Sequence, residues 1–171
     1  MTISMYQASA PRFANALENL SAILAKAQAH VEAKKLDETA LTGFRLFPDM
    51  HPLTRQVQIA CDAAKGAVAR LAGAEIPKHE DVEQTFAELK ARIAKTIDFI
   101  RTFKPAQIDG TEDKEIVLKL QGNDVKFKGL QYLLGFAVPN FYFHVVTAYD
   151  ILRHNGVEIG KRDFLGNPLS A

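Results

Sequence analysis

At 171 residues, with 21 Lys and Arg against 20 Asp and Glu, the chain is long enough to bury one core without staples. Its net charge of +1 supplies no field for drawing in nucleic-acid phosphates or anionic lipid. A single cysteine allows neither an internal disulfide nor a metal-binding cysteine pair, and no stretch reaches the about 18 uninterrupted apolar residues of a membrane span.

The first ten residues are small and polar, without a basic n-region or an apolar run, so no secretory signal is read and the expected address is the cytoplasm. With Ser4 as a candidate N-cap, Phe13, Leu17, Leu20, Leu24, Ala27 and Val31 step by four and three and predict a first long helix. Pro11 either marks its start or kinks an earlier turn. Residues 36–50 hold no sustained period and read as a crossover, after which Asp49 can cap a second helix with Pro52 at its start. Leu53, Val57, Ala60, Ala64, Ala67 and Leu71 form the second stripe, closed by Gly73. A third helix is expected from Glu80 or Asp81, with Val82, Phe86, Leu89, Ile93, Ile97 and Ile100 on its buried side and Pro105 as its stop.

Then the period changes to two. Ile116, Leu118 and Leu120, followed by Gly122-Asn123 and by Val125 and Phe127, predict a β-hairpin, which must lie on the bundle or pair across a subunit boundary to be stable. Residues 129–138 read as a short helix. Residues 139–156 read as the last long one, opened by Pro139, closed by Gly156, and carrying Phe141, Val145, Ala148 and Leu152 on one stripe. The tail, 157–171, has no period and is expected to be an extended arm. No repeat or second composition zone divides residues 1–171, so the expectation is one all-α domain, a four-helix bundle with a small β-hairpin inserted before the last helix.

Candidate chemistry gathers where polar residues flank these stripes. On the last helix Asn140 and His144 lie one turn apart at the stripe's edge, and on the second Gln56 and Cys61 flank theirs, so the four can line one interhelical cleft. Cys61 would need a cation to become a nucleophile and has only Lys65 within a turn, which leaves it readable as a small buried residue. The tyrosines Tyr6, Tyr132, Tyr142 and Tyr149 suit core and pocket wall, with hydroxyls that could orient a substrate; Tyr149 joins the candidate ligand-binding set. His144 and His154 are about 15 Å apart along one helix and cannot share an ion, and no H-x-x-x-H pair, phosphate loop or nucleophile elbow occurs.

The blocks F-P-D-M-H-P-L-T-R-Q-V-Q-I-A-C-D-A-A-K-G at 47–66, P-N-F-Y-F-H-V-V-T-A-Y-D-I-L-R-H-N-G at 139–156 and G-K-R-D-F-L-G at 160–166 resemble a bacterial domain-of-unknown-function family of the DinB/YfiT-like superfamily. The resemblance spans nearly the whole chain. It implies a four-helix bundle, often dimeric, in which many members hold a divalent metal with one histidine on the second helix and an H-x-x-x-H pair on the last. Here His144 would match the second histidine of that pair, Asn140 stands in place of the first, and the second helix offers Gln56 or Gln58. Amide oxygens are weak ligands for a borderline-soft ion, so the expectation is no metal and no cofactor. His51 is the one replacement donor in reach, at the helix start.

Two functions follow. One is a small-molecule binding or interaction module, homodimeric through helix faces or the hairpin, with no nucleic-acid or membrane partner. The other is a metal- or thiol-dependent transferase or hydrolase of the DinB/YfiT type, with His144 as ligand or general base.

Overall fold

The computed structural model describes residues 3–167. Its first long helix, α1 (Ala10–Lys34), begins one residue before Pro11, which lies in the first turn where amides have no intrahelical acceptor. The helix is therefore not kinked there. Ser4 does not cap it: its Oγ accepts from the Gln7 amide in the turn before, and the N-cap is Ser9, whose Oγ donates to the Met5 carbonyl at 2.7 Å. The crossover holds one short turn of helix, α2 (Thr39–Thr42).

The second long helix, α3 (Leu53–Ala72), takes Pro52 as its N-cap, and Asp49 is exposed and does not cap it. Gly73 ends it with φ 72°, a conformation an L side chain resists. Lys114 then donates to the last carbonyls, Arg70 at 3.0 Å and Leu71 at 2.8 Å.

The third, α4 (Phe86–Arg101), starts later than the acidic pair suggests. Thr85 and Glu88 form a capping box: the Thr85 Oγ1 accepts from the Glu88 amide at 3.2 Å, and the Glu88 carboxylate accepts from the Thr85 amide at 3.0 Å. That reciprocal cap outweighs the dipole's weaker preference for Glu80 or Asp81, so Val82 lies outside the helix and is exposed. Pro105 does not stop α4, which ends at Arg101; it opens a one-turn helix, α5 (Pro105–Ile108).

Strands β1 (Glu115–Leu120) and β2 (Asn123–Lys128) pair antiparallel, with Leu120 opposite Asn123. The turn is Gln121-Gly122, one residue earlier than read, with φ of 50° and 86° as a two-residue I′ turn requires. Ile116 and Leu118 are buried, and Phe127 packs on Tyr132 and Phe136, so the hairpin lies on its own bundle.

Pro139 does not open the last helix. The chain is helical from α6 (Gly129–Tyr132) through a π turn, Leu133–Ala137, into α7 (Val138–His154). The Val138 amide donates to the Leu133 carbonyl, five residues back, and this wider turn takes up a proline that has no amide of its own to give. Gly156, with φ 83°, follows the helix end as expected. The tail is not an extended arm as far as it is described: α8 (Lys161–Leu165) packs on α1, with Lys26 bound to Asp163 at 2.6 Å and Asn19 to the Phe164 carbonyl at 3.2 Å. Residues 168–171 lie outside the described residues.

The long helices pack chiefly as α1 on α4, α4 on α3 and α3 on α7, so consecutive α1 and α3 are not principal neighbours and the bundle is of the crossover kind. Phe13 and Phe141 meet edge-on at its centre, centroids 4.9 Å apart.

Candidate functional site

The seam between α3 and α7 carries the polar pair the stripes place there. Gln56 and His144 are both buried, and the His144 Nδ1 lies 2.7 Å from the Gln56 Oε1. The Gln56 Nε2 donates to the His51 carbonyl at 3.0 Å, which fixes the amide with its oxygen toward the imidazole. An amide oxygen only accepts, so Nδ1 carries the proton and Nε2 is the lone-pair nitrogen. Nε2 has no protein partner among the described residues. Burial, with smaller contributions from His51 and Arg55, lowers the His144 pKa to about 4, so the ring is neutral near pH 7. Phe143 stands edge-on to it at 5.2 Å.

The other sequence candidates divide. Asn140, one turn before His144, lines a different cavity of about 250 Å³ between α3 and the hairpin, with Ile59, Ala63, Leu118 and Phe136. Cys61 sits wholly in the core, where burial pushes its thiol up to about 12 against the opposing pull of Thr96 and Arg92. Tyr149 is about 140° around the helix from His144 and packs edge-on against Phe164 of α8. Of these candidates, Gln56 and His144 are the two that hydrogen-bond to one another among the described residues.

A second buried polar group runs down α3 beside this pair. Arg92, on α4 with a side chain 1% exposed, reaches Asp62 at 2.9 Å, Asp81 at 2.9 Å, Glu83 at 3.2 Å and the Glu80 carbonyl at 2.9 Å. Lys65 joins Asp62 at 2.7 Å, Gln58 donates to Glu83 at 2.9 Å, and Arg55 bridges Gln58 and Asp81. Burial works against the charge of Arg92, but Asp62 and Glu83 outweigh it and its pKa is raised. Reading stripes alone misses this group. Its signal was present: Arg92 follows Leu89 by three and precedes Thr96 by four, a cation inside an apolar stripe, while Asp62 and Lys65 interrupt the small-residue face of α3.

The donor set bears on the divalent metal that the family resemblance implies. His144 spends Nδ1 on Gln56, Gln56 spends its amide on His144 and His51, and Asn140 faces elsewhere. What converges is one imidazole nitrogen and one amide oxygen that is already in use, which does not fit the tetrahedral nitrogen and sulfur environment of Zn²⁺. Among the described residues, no group of three or more His, Cys, Asp or Glu can hold an ion.

A crossover bundle with a hairpin before the last helix and a histidine on that helix aimed at the second long one is a DinB-like four-helix bundle. The chain belongs to the DUF1993 family: residues 5–165 match its model, described as "Domain of unknown function (DUF1993)". It is 45% identical to a DinB family member from Shewanella denitrificans of known crystal structure, over 94% of this chain and 91% of that one, with a TM-score of 0.87. No curated protein matches it.

Proposed function

We propose that the protein is a small-molecule binding module without a working metal triad, and that its ligand donates a hydrogen bond to Nε2 of His144. The supporting observation is the 2.7 Å pairing of Nδ1 with Gln56, which fixes one tautomer and leaves the opposite nitrogen as an acceptor without a protein partner among the described residues. An acceptor held in one tautomer and left free by the protein favours a ligand with a matching donor. The same burial counts against the transferase or hydrolase reading: a group with pKa about 4 is a weak proton acceptor at neutral pH.

The test is a His144→Asn variant. The Asn amide overlays Nδ1 and keeps the bond to Gln56, while Nε2 is removed. Native mass spectrometry of gently purified protein should show a ligand mass on the wild type that is lost from the variant, with melting temperatures that agree. Retention of the ligand by the variant, or stoichiometric zinc or nickel on the wild type by elemental analysis, would contradict the proposal.

In the same reading the protein pairs with a second copy of itself along the outer face of α6 and α7. Leu130, Leu134, Phe143 and Val146 are exposed there, and the five-residue step across the π turn keeps them on one side. An antiparallel two-fold near Pro139 sets Leu134 against Phe143 and Leu130 against Val146, so the apolar stripe meets its own copy. Sedimentation should give a dimer for the wild type and a monomer for Phe143→Asp; equal masses for the two would remove this interface.

A further inference from the structure

Between α3 and α4, residues 74–85 run without helix or strand, flanked by two cavities of about 580 and 560 Å³. His79 lines both. Its Nδ1 is buried without a hydrogen-bond partner among the described residues, and so is Nε of Arg92, which lines the larger cavity. Two buried nitrogens without a partner at one cavity, one of them the obligate donor Nε of Arg92, are an unusual pairing, since buried polar groups are almost always satisfied.

The charges around that cavity sort by whether they are already bound. Glu83 is held by Arg92 and Gln58, and Glu88 by the amides of Gln84 and Thr85. Asp62 and Asp81 are taken by Arg92 with Lys65 and Arg55. Lys78 and Lys95, on the cavity wall, have no carboxylate partner among the described residues, and Glu80 is the one lining carboxylate left unpaired. The imidazole therefore stands in a positive surrounding: after burial, Lys65, Lys95 and Arg92 are what lower its pKa.

We propose that the larger cavity, between this segment and α4, binds a small molecule through an oxyanion, a phosphate or carboxylate held by the Lys78 and Lys95 ammonium groups with His79 donating to it. His79 lines both cavities, so a turn of its ring about the Cβ–Cγ bond can present a ring nitrogen to the anion. The volume lies in the ordinary range for small-molecule sites, about 300–1,000 Å³. This site shares no lining residue with the His144 and Gln56 pair and does not depend on how that pair functions.

The experiment is histidine-ring NMR of the full chain, titrated separately with inorganic phosphate and with acetate at constant ionic strength set by chloride. The His79 resonance should move saturably with at least one of the two, and its pKa should rise, because a bound anion reverses the field of the lysines. Which anion acts tells phosphate from carboxylate ligands. Lys78 and Lys95 are exposed, so Lys78→Ala and Lys95→Ala fold normally, and each should weaken binding by about tenfold, the loss of one charge-assisted contact. A His79 ring that responds to neither anion beyond the chloride control, or affinities unchanged in both variants, would overturn the proposal.

Discussion

Lowering the pH should destabilise the protein through His144 in a window set by its environment. The unfolded chain presents an imidazole with pKa about 6.5, whereas the folded ring titrates at about 4. The unfolded state therefore takes up the proton first, and stability falls as pH drops below about 6.5, with the full loss reached near pH 4. Each unit of difference is about 1.4 kcal/mol, so the whole effect is about 3 kcal/mol, a large part of the stability of a domain this size. His144 as a residue is 8% exposed, so about 3 kcal/mol is the upper bound of the effect. The assay is urea unfolding at constant ionic strength between about pH 7.5 and pH 4, on wild type and on His144→Asn. The variant keeps the bond to Gln56 and cannot titrate, so the difference between the two curves isolates His144 from carboxylates and from His79. A variant that loses stability in parallel with the wild type would refute the reasoning.

Arg92→Met should cost about 3–5 kcal/mol in chemical unfolding, because Glu83, with a side chain 12% exposed, is left buried without its cation. The lower end is expected, since Asp62 and Asp81 are 38% and 40% exposed and can turn to water. Thr85→Ala removes the capping box of α4 and should cost about 1 kcal/mol by the same measurement. Gly129→Ala places a Cβ 2.0 Å from the Thr111 carbonyl oxygen, so backbone must move, and a loss of about 1–3 kcal/mol is expected. Cys61, with a thiol pushed up to about 12, should stay unreactive to disulfide reagents in the native state and react fully once the chain is unfolded; fast native labelling would contradict its burial.

The bundle was legible because the apolar stripes at Phe13 to Val31, Leu53 to Leu71 and Phe86 to Ile100 have the helical period, and every one of those positions is buried. What the period could not show is how the chain enters and leaves each element. Pro139 looks like a helix start by local rules, and only the hydrogen bond from Val138 back to Leu133 reveals that a π turn carries the helix through it. Thr85 with Glu88 is a sequence-level cap, but the acidic residues before it gave a competing start. Gln56 and His144 could be paired from their stripes because α3 and α7 pack together. Asn140 could not be assigned that way: the hairpin covers its end of the seam, so it opens onto Leu118 and Phe136 instead. The Arg92 group was hidden because three of its carboxylates, Asp62, Asp81 and Glu83, come from a helix and a connection whose meeting point no periodicity encodes.

The tautomer and charge of one imidazole test the functional reading most directly. Long-range ¹H–¹⁵N correlation of the His144 ring should show a neutral side chain with the proton on Nδ1 and a bare Nε2, unchanged as pH is lowered to about 5. A proton on Nε2, or titration near the ordinary 6.5, would mean that Gln56 does not hold the ring as described, and that no acceptor waits for a ligand there.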